Sequence, residues 1–466
     1  MSDLVDLLWE FDDYLWFIPF VLIILLGLYS TLRFKGIQFT QIREMCKITF
    51  SRDKKDKGKV TPFHVFWVSM GNRVGIGNIA GPVTAILTGG PGAIFWMWIF
   101  ATLGGATSFV ESTIGQLYKS KDSEGNYKGG PAYNMSKGLQ LKKMGAFVAF
   151  MMVMMYIVGY ISSETAAISE AFCEAFPFEN NMLVIAIALT LITLVVAIGG
   201  FRKVAFASQW IVPMMVLGWF LICGITIIIN AGNIGNAFYM IFTYAFSPPA
   251  FVGGLAGALI VGMRRGIWSN EAGIGTITNV SSLAEVDHPA SQGLSQSLGV
   301  LIDTLVCTLT AFVVLTYGGF TATEAIGVDS MPYLQNIFAE ALGGFAPILV
   351  MVFIFLFAIT CLMGDFVIGE NNMKFITEAK IAKYCVVVLV LAVVFLSSFF
   401  ASDLVFAVLD ILLAICGIIN CFVIFKLFGR AVEVYKDYRA QKDAGVENPR
   451  FHKDALSDDT GVTEWD

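Results

Sequence analysis

The chain has 466 residues, of which 56% are hydrophobic and only 14% charged, and its mean hydropathy is +0.73. That leaves too little polar surface for a soluble globule. The net charge of -6 decides little as a sum, because in a bilayer the placement of Lys and Arg is what matters. Eight cysteines stand singly and only three histidines occur, which argues against a zinc or disulfide framework. The chain therefore reads as an all-α polytopic membrane protein whose partner is the lipid bilayer, with no nucleic-acid partner.

The N-terminus MSDLVDLLWEFDDYLWF is acidic and lacks the positive n-region of a signal peptide, so the run Tyr14 to Leu32 is expected to be an uncleaved span. Windows of about 20 apolar residues predict about eleven transmembrane helices. They start near Tyr14, Val65, Ile94, Met144, Met182, Phe206, Phe251, Gly293, Phe345, Ala382 and Leu404. Every second loop collects the basic residues, beginning with RFKGIQFTQIREMCKITFSRDKKDKGK and including GGFRKV, while the intervening loops hold no Lys or Arg. This alternation predicts an outside N-terminus and a cytoplasmic C-terminus. The tail from Val432 is expected to be a solvated helix end followed by disorder.

Two of these spans carry helix breakers at their centres. RVGIGNIAGP, Arg73 to Pro82, interrupts the second, and RRGIWSNEAGIG interrupts the seventh. The breaks divide the remaining spans into two sets of five, and because five is odd the second set enters with opposite orientation. This predicts residues 1–61 as an extra helix with a basic loop, 62–230 as a first five-helix repeat, 231–428 as a second, inverted repeat, and 429–466 as a tail. Paired discontinuous helices in inverted repeats build a midplane binding site. Unwound backbone in lipid is tolerated only at a cavity, and a break offers free carbonyls to a cation and free N–H groups to a carboxylate. Pro82 is expected in the first turn of the outer half-helix.

Ionisable residues at membrane depth are functional candidates. The acids are Glu111, Glu164, Glu271, Asp303, Asp365 and Glu370, and the bases are Arg73, Arg264 and Arg265. The excess of acids favours a site for cations. Arg73, Glu271 and Asp303 are expected to form a charge network or gate, with Arg73 ion-paired to a nearby acid such as Asp303. Structural pairing is the expectation for Glu111 and Glu370.

GIGNIAG, GGPGAIFWMWIFATLGGATSFVES, KGGPAYNM, RRGIWSNEAGIG, LGVLIDTLVCT and GENNMKF, in that order, closely resemble the alanine or glycine:cation symporter family of the amino acid-polyamine-organocation superfamily. The resemblance runs from about Arg33 to Lys426. It implies a leucine-transporter-like (LeuT-like) 5+5 inverted repeat with one extra N-terminal helix, a place in the plasma (inner) membrane, and sodium as coupling ion with no other cofactor. It also implies alanine or glycine as substrate, and no enzymatic activity. Carried over by position, Gly77, Asn78, Ala80 and Gly81 would form the first break and Ser269, Asn270, Glu271 and Gly273 the second, with Trp268 closing the pocket. Carbonyls near Val74 and Gly77, with Thr360 and Cys361, would hold sodium. This chain departs from its relatives at Asn72, at Cys361, a poor ligand for hard sodium, and at Glu164 and Asp365. Those two acids would bind a proton or attract the substrate's ammonium. A channel would need a continuous polar lining and an intramembrane enzyme a convergent nucleophile and base; neither pattern is present.

Overall fold

In hydrocarbon each backbone N–H and C=O must be satisfied by its own segment or a closed partner, so the apolar windows become helices. The computed structural model describes residues 2–51, 60–123, 125–246, 257–317, 330–400 and 402–466. Among them, eight helices are long and apolar enough to cross a bilayer: Leu7–Arg33, Ala93–Leu117, Lys142–Ala175, Asn181–Gly199, Lys203–Ile229, Pro289–Thr316, Ala346–Ile376 and Leu404–Asp443. A shorter apolar helix, Ile381–Ser397, covers the stretch expected to cross near Ala382. The stretch near Val65 is split into Pro62–Arg73 and Ile76–Gly89, and that near Phe251 into Ala258–Asn270 and Thr276–Ser281. The start of the latter at Phe251, residues 52–59 at the end of the first basic loop and residues 318–329 lie outside the described residues. A two-residue antiparallel hairpin, Ser120–Lys121 with Tyr127–Lys128, is the strand structure among the described residues.

Contacts between helix ends define two faces. On one, Lys137 donates to the Lys119 carbonyl at 3.0 Å, Glu285 N–H to Val60 O at 2.9 Å, and the C-terminal residues meet Gln116, Asp287 and His288. This is the tail face. Ala93–Leu117 ends there, while Pro62–Arg73, Lys142–Ala175 and Pro289–Thr316 begin there. The first broken helix thus rises from the tail face, and the second, whose Ser281 and Ala284 carbonyls are held by Gln116, descends to it.

Asn181–Ile229 is helical throughout, where a loop was expected at GGFRKV. Its 49 residues would span about 74 Å if straight. Yet Asn181 donates to the Phe176 carbonyl and Asn233, just past its other end, to the Thr316 carbonyl, both opposite the tail face. Phe206, in its middle, meets His64 at the tail face. The chain therefore reverses direction between Asn181–Gly199 and Lys203–Ile229, which are two antiparallel spans as the sequence predicted. It turns Val195, Ile198, Met214 and Leu217 outward, more than 65% exposed, as a lipid-facing surface requires.

The tail corrects an expectation. The last helix continues to Asp443, and the residues after it are ordered, with Phe451, Val462 and Trp465 buried. These apolar anchors are too few for a domain, but they suffice to dock on a face already built.

Candidate functional site

The first break is narrow. Val74 leaves the helical region with φ -85° and ψ 74°, and Gly75 is extended. Asn78 then restarts the helix by local bonding: its Oδ1 accepts from Gly75 N–H at 3.0 Å, and its own N–H donates to Gly75 O at 3.1 Å. The Val74 carbonyl is thereby released from the helical ladder. Gly77, Asn78, Ala80 and Gly81 accordingly lie in the first turns of Ile76–Gly89 rather than in unwound chain. Pro82 sits seven residues into Ile76–Gly89, not in its first turn, because Asn78 sets the start earlier than a proline-led reading does.

The second break is wide. Ala258–Asn270 ends at Glu271, which adopts the left-handed conformation with φ 56°, and Gly273 and Gly275 follow with φ 90° and 89°. Side chains rarely take such dihedrals, so glycine is needed at the last two. Trp268, Ser269 and Asn270 are helical. Asn270 Oδ1 accepts from Ala272 N–H at 3.0 Å, and Asn420 donates to the Gly273 carbonyl at 2.9 Å and to Glu111 at 3.2 Å.

The two breaks touch. A methyl group on Gly77 would lie 3.4 Å from the Ser269 Cα, ordinary van der Waals distance, so the two half-helices cross in direct contact. Asp303 joins them: Asn78 Nδ2 donates to its Oδ1 at 2.6 Å and Ser269 Oγ to its Oδ2 at 2.8 Å, with Cys307 beside both. Arg73 joins them a second time. It is 1% exposed and donates to the Asn270 carbonyl at 3.0 Å, to the Gln296 carbonyl and side chain at 2.9 and 3.1 Å, and to Ser108 at 2.8 Å. The expected ion pair with Asp303 is not formed, and among the described residues no acid pairs with Arg73. Neutral oxygens take four of its five N–H donors, while Asp303 is satisfied by an amide and a hydroxyl. The other bases do pair, Arg264 with Asp12 and Arg265 with Asp410, both at 3.2 Å. Glu370 pairs with Lys374 and Lys383.

Beside the first break, Cys361 directs its thiol to the carbonyls of Gly71 at 3.1 Å and Asn72 at 3.4 Å. Thr360 Oγ1 donates to Phe357 O at 2.8 Å and lies against Gly71. Gly71, in the half-helix before the break, thus joins Thr360 and Cys361 in this cluster. Glu164 reaches the same spot from Lys142–Ala175, with its carboxylate at Ile76 N–H and the Cys361 thiol. Asp365 accepts from Asn72 Nδ2 at 3.1 Å. One oxygen each of Glu164, Glu271 and Asp365 is buried without a protein partner.

Opposite the tail face, a cavity of about 850 Å³, counting its open mouth, leads down to this region. Ile76, Ala80 and Trp268 line it together with Glu170 and Arg265. The Trp268 ring is held edge to face by Phe406 at 5.5 Å and lies under the Arg265 guanidinium at 5.3 Å. Sequence reading missed Gly71, Ser108, Gln296 and Asn420. Asn420 in the apolar run CGIINCF carried a visible signal, while Ser108 and Gln296 lie among residues that read as ordinary small-residue packing.

A family profile described as "Sodium:alanine symporter family" matches residues 1–453. The "Amino-acid carrier protein AlsT" of Bacillus subtilis is 37% identical over 438 residues, covering 94% of this chain and 92% of that protein. The "Probable sodium/glutamine symporter GlnT" of the same species is 35% identical, covering 97% and 94%. The "Sodium/alanine symporter AgcS" of Methanococcus maripaludis is 32% identical, covering 81% and 85%. These relatives are transporters rather than enzymes. With its many apolar helices and its family-wide match, the chain is a multi-pass membrane protein that belongs to the sodium:alanine symporter family and transports amino acids coupled to a cation.

Proposed function

We propose that the chain moves alanine or glycine into the cell together with sodium by alternating access, with the tail face in the cytoplasm and the large cavity open to the outside. The observation that carries this reading is the contact of the two breaks at Gly77 and Ser269 below that cavity. The positive dipole end at the start of Ile76–Gly89 suits the substrate carboxylate, and Ile76, Ala80 and Trp268 bound the space beside it. Trp268 and Ile76 at the floor favour small side chains, because size exclusion rejects bulk more surely than binding energy distinguishes one methyl. Eleven spans in a 5+5 inverted repeat with an extra N-terminal helix agree with the opposite directions of the two broken helices.

Sodium as co-substrate suits the carbonyls of Gly71 and Val74 and the Thr360 hydroxyl, which are hard oxygen donors. The Cys361 thiol is the weak member. Cys361→Ser is expected to lower the sodium concentration that half-saturates uptake several-fold, and Thr360→Ala to raise it. The deciding measurement is radiolabelled alanine uptake into proteoliposomes under an imposed sodium gradient, a proton gradient or neither, with glycine, serine, glutamine and lysine as competitors. Accumulation driven by sodium and displaced by glycine supports the proposal; none under sodium refutes it.

A second reading rests on the unpartnered oxygens of Glu164 and Asp365. These acids would carry a proton or admit an amino acid other than alanine, and a relative named as a sodium/glutamine symporter keeps the latter in view. Glu164→Gln should then abolish a pH dependence of uptake. An unchanged pH profile removes the proton version.

A further inference from the structure

We infer that residues 445–466 form a latch across the tail face, and that its release is part of opening that face. The inference rests on the transport reading above for its purpose, but on contacts of its own for its existence.

The latch is built from reciprocal and buried contacts. After a left-handed turn at Gly445, Arg450 exchanges two hydrogen bonds with Gln441, at 2.7 and 2.9 Å, which fixes the direction of the returning chain. Phe451 N–H donates to the Asp287 carbonyl at 2.9 Å, and its ring lies 5.3 Å from His288 and 5.6 Å from Trp465. Trp465 is 7% exposed; its Nε1 donates to the Gln116 carbonyl at 3.1 Å, and the Lys119 ammonium sits 4.6 Å from its ring. On the other side Lys137 donates to Thr463 at 2.7 Å, and Arg430 reaches Ser457 and Asp458.

What lies beneath gives these contacts a consequence. The Gln116 amide clamps the carbonyls of Ser281 and Ala284 at 2.5 and 3.1 Å, and Lys119 adds a bond to Gln116 and another to Ala284. Ser281 is the last residue of the inner half of the second broken helix. A path from the breaks to the tail face must open beside that segment. The latch spans it, tied on one side to Gln116, Asp287 and His288 and on the other to Lys137 and the final helix. Opening with Trp465 in place would require this whole set to move as one body, so undocking the tail lowers the cost of opening.

The test is hydrogen–deuterium exchange on the full chain in lipid nanodiscs, compared with W465A and with a chain ending after Ala444. Exchange of segments 276–288 and 130–138 is expected to speed up on the order of tenfold in both variants, while Ser330–Leu342 at the opposite face keeps its protection. Unchanged exchange of 276–288 in both variants overturns the latch. Should W465A loosen the whole chain, W465F decides: it keeps a ring beside Lys119 and loses only the indole donor. A rise confined to 276–288 then upholds the latch, and no rise there overturns it. Failure of the wild-type chain to take up alanine under a sodium gradient would sink the transport reading and leave this exchange result standing on its own.

Discussion

The two breaks solve the same physical problem in opposite ways. The first spans two residues, closes itself with Asn78, and stands among acids whose oxygens are only partly claimed. The second spans five residues, three of them in left-handed conformations, and distant side chains hold it, Arg73 at the Asn270 carbonyl and Asn420 at the Gly273 carbonyl. An interruption repaired locally leaves its helix ends available to ligands. One that is repaired from outside gives its ends to the scaffold and becomes a structural joint. The first break is thus the receptive one, and the second sets its position.

The strongest way to break this contrast is Arg73→Ala. It strands the Asn270 carbonyl, Gln296 and Ser108 in the interior, each worth about 1–3 kcal/mol when unsatisfied. Uptake should vanish and the unfolding temperature should fall by on the order of 10 °C; an unchanged Tm would show that the second break holds without Arg73. Arg73→Lys should not restore it, because an ammonium cannot reproduce the forked donor set. Next comes a pair at the first break. An added methyl at Gly75 would overlap the Cys361 sulfur, whereas one at Gly77 meets only ordinary contacts. Gly75→Ala should therefore cost about 1–3 kcal/mol of stability, relieved in the double variant with Cys361→Ala. Gly77→Ala should fold normally and lose uptake, and a normal transport rate there would deny that the space between the breaks holds the substrate.

Gly273→Ala sharpens the second half of the contrast. Its neighbours stand at ordinary distances, so the cost is the left-handed backbone alone, about 1–2 kcal/mol, read as a small fall in Tm with the sodium dependence unaltered. The smallest effect concerns pH. His288 Nδ1 accepts from Ala290 N–H and Nε2 donates to Asp437, both at 3.1 Å, with the Tyr438 and Phe451 rings against it. Burial holds its pKa down at about 4, against about 6.5 in an unfolded chain. The unfolded chain therefore binds a proton that the folded one refuses between those values. Stability is full above pH 6.5 and declines as pH falls toward 4, by up to about 1.4 kcal/mol per unit. A melt at pH 5.5 against 7.5 should show the drop in the wild type and a smaller one in His288→Gln.

Much of this was legible in the residues. Helix breakers act locally, so RVGIGNIAGP and SNEAGIG announced both interruptions, and the sparse polar residues in apolar runs pointed to Asn78, Glu164, Asp303 and Asp365. What escaped depends on groups far apart in sequence. Arg73 seemed to need an acid, yet neutral oxygens of Asn270, Gln296 and Ser108, on three other helices, hold it. Pro82 looked like a helix start because no residue alone reveals that Asn78 reaches back to Gly75. The tail looked disordered because Phe451 and Trp465 have no core of their own until the face formed by Gln116 and His288 exists.

Arg73 has one further consequence, which concerns economy rather than structure. It sits at the end of Pro62–Arg73, the tail-face half of the first broken helix, and grips the end of Ala258–Asn270, the opposite half of the second. The two hinges therefore share one yoke, and neither can swing far while the other stays still. In a device that spends an ion gradient, independent hinges would let the ion slip through without its cargo. A single buried guanidinium, by forbidding half-open states, would keep each passage of the ion tied to a passenger.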